Sequence, residues 1–249
     1  MSPEIKEKRV YLYRHGQAQH NLPQYTFEVA QSFPDPPLTP LGVTQTTSIP
    51  NAPIGRYLNS SKSSSILLLS SPLRRTIQTT LNGLTPLKEH IESLPKSNQK
   101  GVVLLPQAHE SGPNPCDTGS PLSTLLDGEG FEFSSVKGLD WSEVEKVEPE
   151  WRSKQGFWSP HFDDLKKRAA WVRRYIRGRS EREVVLVAHN GILDFISRGE
   201  HREGVETWPN AEVRVFKFKE GDGSDDEWAF LERIPDETVL EELKLDVKL

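Results

Sequence analysis

Four short apolar runs constrain the fold of this chain more than any other feature: Val10–Tyr13, Ile66–Ser70, Val102–Leu105 and Val184–Ala188. Each is rich in Val, Leu or Ile and is bounded by polar or turn-forming residues. Continuous apolar runs of this length predict strands buried on both faces, the condition of a parallel sheet covered by helices above and below. Helix-period patterns fill the intervals. Strands that alternate with helices give the α/β class, here a three-layer α/β/α sandwich with a mostly parallel central sheet.

A fifth run, Glu212–Phe218, alternates Val213 and Val215 with charges, as a half-exposed or edge strand does. Gly221–Asp226 reads as a hairpin turn and Trp228–Leu231 as the returning strand. Thr39-Pro40 and Ser71-Pro72 each set a capping residue before a proline at the first helical position. The second of these helices is predicted over Pro72–Asn82, with Gly83 stopping it. In the longest predicted helix, Phe162–Arg177, the residues Phe162, Leu165, Ala169, Val172 and Ile176 fall at three- and four-residue steps. Lys166, Lys167, Arg168, Arg173 and Arg174 lie between them and read as a solvated face. Asn59–Ser65 reads as a Ser-rich linker, and Gly112–Gly138 as a long ordered loop or lid near a site. With no internal repeat and no second core, one domain is expected.

Composition excludes several functions. A net charge of −5 argues against nucleic acid as the main partner, because binding a phosphate backbone needs a positive surface. The one cysteine, Cys116, can form no intrachain disulfide and no cysteine-based zinc cluster. No apolar run approaches the ~18 residues of a membrane helix. The start MSPEIKEKR lacks the apolar stretch of a signal peptide. The expectation is a cytoplasmic protein without a membrane partner.

In an open α/β sheet, ligands bind beyond the carboxyl ends of the strands. After the first run comes Arg14-His15-Gly16-Gln17-Ala18-Gln19-His20-Asn21, and after the second Ser71-Pro72-Leu73-Arg74-Arg75-Thr76. After the third comes Gln107-Ala108-His109-Glu110, and after the fourth His189-Asn190-Gly191. Four strand ends therefore deliver arginines, histidines and one carboxylate to a single edge. Arginine forks hold phosphate oxygens bidentately. A neutral imidazole is a good nucleophile toward phosphorus, and a second can hydrogen-bond the equatorial oxygens. A carboxylic acid can protonate the leaving oxygen and then activate water. There is no glycine-rich phosphate loop and no aspartate cluster for magnesium, so no metal or cofactor is expected.

These residues resemble the histidine phosphatase superfamily, in its phosphoglycerate-mutase-like branch 1. The Arg14-His15-Gly16 triplet and its spacing to Asn21 resemble the family's RHGxxxxN. Residues Asp35 to Gln45 resemble its D-x-x-L-T-x-x-G-x-x-Q stretch, Ser71 to Thr79 its S-P-L-x-R-A/T-x-Q-T helix start, and Val187 to Gly191 its second histidine segment. The histidine before Asn21 and the run Pro115-Cys116-Asp117-Thr118-Gly119-Ser120-Pro121 resemble a fungal and plant phosphatase-like subgroup. The resemblance implies a single phosphoglycerate-mutase-like phosphatase domain over residues 1–249, with a loop or cap insertion around 112–160. It implies His15 as phosphoryl acceptor, Arg14 and Arg75 as the phosphate clamp, and His189 as second pocket histidine. Asn21 and His20 would touch phosphate or substrate. Glu110 would be the proton donor, with Asp117 the other candidate. The implied activity is metal-independent hydrolysis of a small-molecule phosphate monoester through a phosphohistidine. A phosphoglycerate-type mutase, or a phosphate-binding pseudoenzyme or repurposed pathway enzyme, are the alternatives. Absence of the mutases' added segments favours hydrolysis.

Other conspicuous residues have simpler readings. His90, His161 and His201 sit in polar surroundings and read as surface residues. Ser71 reads as a helix cap, since no G-x-S-x-G elbow surrounds it. Cys116 reads as loop packing. Trp141, Trp151 and Trp158 either roof the cleft or pack an irregular cap. Asn190 stands where many family members have glycine, a substitution that suits a left-handed backbone. The acidic tail, residues 235–249, would pair across a homodimer or cap its own domain.

Overall fold

The computed structural model describes residues 8–95, 101–130, 133–198, 207–219 and 229–245. Seven strands form one sheet in the order β4-β3-β2-β5-β1-β6-β7. They are β1 (Arg9–Arg14), β2 (Ile66–Ser70), β3 (Val102–Leu104), β4 (Leu139–Asp140), β5 (Glu183–Ala188), β6 (Val213–Phe218) and β7 (Leu231–Arg233). The first five run parallel, β6 is antiparallel to β1, and β7 is antiparallel to β6. This is the α/β/α sandwich expected from the four apolar runs. The middle pair explains the reading: every residue of β2 and β5 is buried.

Between the strands lie α1 (Phe27–Ser32), α2 (Pro40–Thr47), α3 (Pro53–Ser60), α4 (Arg74–Gly83) and α5 (Thr85–Ser93). Beyond them come α6 (Pro115–Thr118), α7 (Leu122–Asp127), α8 (Ser142–Glu145), α9 (Phe162–Gly178), α10 (Asn190–Arg198) and α11 (Asp236–Glu242). Side-chain alternation along each strand divides the core in two. Tyr11, Tyr13, Leu68 and Val185 face a cluster completed by Leu58, Ile77 and Ile91 of α3, α4 and α5. Val10, Leu12, Leu67 and Leu186 face the other, completed by Val172 of α9 and Leu193 of α10.

Several expectations are corrected. Of the two readings of the fifth run, half-exposed or edge, the first holds: β6 lies between β1 and β7, with Val213, Lys217 and Phe218 only partly buried. The returning strand is Leu231–Arg233, while Gly221–Asp226 and Trp228 lie outside the described residues. Helix α4 starts at Arg74 rather than Pro72. The backbone N–H of Arg74 donates to Asp35 Oδ1 at 2.9 Å, so a side chain 39 positions earlier caps this helix, not Ser71. Thr39 does cap α2, accepting from Gly42 N at 3.0 Å. The stretch after Gly112 folds as α6, α7 and a short 3-10 turn at Phe133–Ser135 rather than as a plain loop.

The basic residues of α9 are not all solvated. Arg168 is 0% and Arg173 1% exposed, whereas Phe162 of the supposed apolar stripe is 51% exposed. Arg173 Nη1 donates to the carbonyls of Phe195 and Ile196, near the end of α10, at 2.9 and 3.3 Å. In the tail, Val239 of α11 is buried in the core, and Arg9 Nη2 meets Glu242 Oε2 at 2.7 Å, so its described part caps its own domain. Among the described residues no helix is long and apolar enough to cross a membrane.

Leu68 sits in β2 between β3 and β5 and is fully buried. Leu68→Ala is expected to cost about 2–5 kcal/mol in urea unfolding, the range for a buried leucine whose surroundings cannot collapse. A cost below about 1 kcal/mol would place that side chain outside the core.

Candidate active site

The parallel strands β3, β2, β5 and β1 are neighbours, so their carboxyl ends deliver their following residues side by side. Backbone bonds extend the ladder into the loops: His15 N donates to Ala188 O at 3.0 Å, and Ser71 N donates to Val187 O at 2.9 Å. The start of β6 supports the same turn, with Ala211 N and Asn210 Nδ2 both donating to His15 O at 3.1 Å.

The motif residues around positions 35–45 and 75–79 shape the loop that carries His15. Gly16 N donates to Thr79 Oγ1 at 3.0 Å, Gln17 N to Gln45 Oε1 at 2.8 Å, and Leu38 N to Gln78 Oε1 at 2.9 Å. Gly42 packs directly beneath this loop: a Cβ there would lie 2.0 Å from Gln17 O. Only glycine fits that approach.

His15 is 1% exposed. Its Nδ1–H donates to Gly16 O at 2.6 Å, which fixes the tautomer and leaves the lone pair on Nε2. Arg75 Nε donates to that Nε2 at 3.2 Å. The His189 ring lies 5.1 Å from His15 and the His20 ring 5.9 Å, centroid to centroid. Burial, then Arg75 and Arg14, hold the His15 imidazole well below the ordinary histidine range. Burial and Arg75 do the same to His189, and burial with the two arginines pushes His20 down to about 2. The three rings are therefore neutral at neutral pH.

His189 Nε2 meets Ser71 Oγ at 2.8 Å, so the serine expected as a cap orients the second imidazole instead. Asn190 opens α10 in helical geometry and uses no left-handed backbone; its Oδ1 accepts from Trp208 N at 2.9 Å. Arg14 Nη1 in turn donates to Trp208 O. Arg75, 0% exposed, donates from Nη1 to Cys116 O at 2.7 Å, and its Nη2 lies 3.8 Å from Asp117 Oδ1.

Among the described residues, four buried nitrogens in this ring have no hydrogen-bond partner: Arg14 Nε, Arg75 Nη2, His189 Nδ1 and His20 Nδ1. Buried polar atoms are almost always satisfied, and a group of orphaned nitrogens around one imidazole suits a compact oxyanion.

Asn21 Oδ1 accepts from Ala18 N at 3.0 Å and closes the turn after the loop. Glu110 lies at the start of α10, where Oε1 accepts from Ser111 N at 2.7 Å and Ile192 N at 3.0 Å, and Oε2 accepts from Gly191 N at 3.2 Å.

Sequence reasoning missed the cations behind the acidic segment. Lys154, in a left-handed backbone conformation at φ 56°, donates from Nζ to Asp117 O at 2.8 Å and to Glu110 O at 3.4 Å. Burial and Arg168 push its ammonium down to about 7. Arg168 donates from Nη2 to Glu110 O at 3.3 Å and from Nη1 to His109 Nε2, while His109 Nδ1 donates to Pro106 O at 2.8 Å. Trp151 and Trp158 pack on the fully buried His109, so they fill the cap. No spacing in the sequence signals these contacts, since their acceptors are loop carbonyls.

Cys116 is buried, with Sγ donating to Gln31 Oε1 at 3.1 Å and its thiol pushed up to about 12 by burial and Asp117. His90 Nε2 donates to Ser63 O at 2.9 Å, His161 is exposed, and His201 lies outside the described residues. Among the described residues no three His, Cys, Asp or Glu side chains gather as a metal site would require.

Residues 10–96 match the family model described as histidine phosphatase superfamily (branch 1). Over that stretch, about a third of its length, the chain is similar to that superfamily. Two solved structures share the fold along nearly all of their length. A mycobacterial hydrolase is 20% identical, covers 92% of this chain and 97% of its own, and superposes with a TM-score of 0.50. A candidate alpha-ribazole-5'-P phosphatase from Escherichia coli is 16% identical over 92% of this chain and 95% of its own, with a TM-score of 0.51. Among curated proteins none matches the chain.

The depressed imidazoles give a direct check. As pH falls through 6.5, His15, His20 and His189 should stay neutral. Nitrogen chemical shifts recorded down to about pH 5.5 report each ring. Titration of His15 near 6.5 would contradict the burial and charge described here.

Proposed function

We propose that this protein is a metal-independent phosphatase that hydrolyses a small-molecule phosphate monoester through a phosphohistidine at His15. The observation that carries the reading is the group of four unpartnered buried nitrogens beside a neutral imidazole whose Nδ1 proton is held by Gly16 O, leaving the lone pair on Nε2. The similarity of residues 10–96 to the histidine phosphatase superfamily model supports it independently.

In the first step His15 Nε2 attacks phosphorus as the ester P–O bond breaks. Arg14, Arg75 and His189 donate to the equatorial oxygens, whose charge redistributes in the transition state. His20 lies at the side of this ring and donates to the bound phosphate or to the alcohol part of the substrate. The leaving oxygen takes a proton from a carboxyl of the Glu110–Asp117 segment. In the second step water attacks phosphohistidine, gives its proton to the same carboxyl, and the N–P electron pair returns to Nε2. Gly16 O keeps the Nδ1 proton throughout, so the ring never needs to change tautomer.

His15→Ala should lower turnover of phosphate monoesters by roughly a thousandfold or more, because no other group can take the phosphoryl. It should also remove the acid-labile phosphoenzyme trapped by rapid quench. Near-normal phosphate release from the variant would refute the reading.

A further inference from the structure

The amino-terminal edge of the sheet, opposite the His15 pocket, carries a second cavity of about 640 Å³. That volume lies inside the range of small-molecule sites. Its walls come from the first residues of β1 and β5, from Lys217 of β6, from Tyr57 of α3 and from the serines at 63–65 that lead into β2. Strand β1 is six residues long, so roughly 17 Å of backbone separates Arg9 at this cavity from Arg14 beside His15.

Charge distinguishes the cavity. Lys8, Arg9, Lys62, Arg182 and Lys217 line it, in a chain whose net charge is −5. Two of these cations meet carboxylates on the rim: Arg9 Nη2 lies 2.7 Å from Glu242 Oε2, and Lys217 Nζ lies 3.2 Å from Glu232 Oε1. Lys8 Nζ donates to the carbonyls of Ile176 and Arg179. Among the described residues Lys62 and Arg182 are exposed and carry no ion pair, and the buried Nε of Arg9 has no hydrogen-bond partner. A concave cluster of one sign concentrates small anions.

Amid these cations sits Glu183, 9% exposed. Its Oε1 accepts from the hydroxyls of Tyr11 at 2.9 Å and Tyr57 at 2.8 Å. Burial and Glu183 push the Tyr57 hydroxyl up to about 12 and raise that of Tyr11 further, so both stay donors. Among the described residues no cation pairs with Glu183 and no donor meets its Oε2. A nearly buried carboxylate is costly unless its oxygens are satisfied. With Oε1 held by two hydroxyls at the cavity wall, Oε2 is left to accept from a ligand.

We infer that this cavity is a second ligand site, for a small phosphorylated polyol of the sugar phosphate class, with its phosphate on Lys62 and Arg182 and a hydroxyl donating to Glu183 Oε2. Arginine and lysine supply the charge and the fork that a phosphate takes. The carboxylate repels a bare anion and rewards one that brings a hydroxyl. Tyr57, the aromatic residue of the wall, packs against the core, which favours a sugar over a stacked nucleobase. No step of the reaction proposed at His15 passes through this site, so the inference stands apart from the phosphatase reading.

The test titrates ribose 5-phosphate and, in parallel, inorganic sulfate into His15→Ala, which removes the proposed nucleophile, and follows backbone amide chemical shifts. Ribose 5-phosphate should give saturable shifts at Ser63, Ser64, Ser65 and Arg182. Sulfate should need a concentration about tenfold higher or more, since it brings no hydroxyl to a charged acceptor. Adding Lys62→Glu and Arg182→Glu, both at exposed positions, should abolish the shifts at the serines and leave any at Gly16 and Gly191, beside His15, as they were. No shift at the serines by about 10 mM ribose 5-phosphate, where even a millimolar site is filled, would overturn the inference. So would an equal response to sulfate, or serine shifts that survive the two charge reversals.

Discussion

The buried guanidinium of Arg75 is the interaction on which the rest of the site depends. Removing a cation from water costs several kcal/mol unless its donors are satisfied and its charge is matched. Here Nε is spent on His15, Nη1 on the Cys116 carbonyl, and Nη2 stands beside Asp117 without a hydrogen bond. One side chain thus ties together the loop after β1, the start of α4 and the acidic segment after β3. Its charge is also the first electrostatic cause, after burial, of the depressed His15 and His189. The residue that would hold an oxyanion keeps the nucleophile unprotonated.

The sheet makes this arrangement possible. Placing β5 between β2 and β1 brings His189 and His15 onto adjacent strand ends, although 174 positions separate them in sequence. Hydrogen bonds from Gln45, Gln78 and Thr79 then hold the loop between them from the opposite side. The motif residues outside the pocket act on the backbone, and those inside it act on the ligand.

The strands could be read from the sequence because both faces of β2 and β5 are covered, which forces a continuous apolar run. His15, His189 and Arg75 could be read because strand ends and the helix that follows them are short, local features. What escaped depends on distant partners. Arg168 and Arg173 look solvated in any helical projection, and they are buried because loop and helix-end carbonyls meet them. Asp35 caps α4 across 39 positions, which frees Ser71 to orient His189. In each case the local pattern allowed two uses of a polar side chain, and only packing selected one.

A complex with inorganic vanadate tests the central claim most directly, since vanadate adopts the trigonal bipyramid of phosphoryl transfer. The account predicts vanadium in line with His15 Nε2, with its equatorial oxygens received by Arg14 Nε, Arg75 Nη2 and His189 Nδ1. Vanadate bound away from these nitrogens, or an imidazole of His15 turned from the metal-oxide centre, would contradict it.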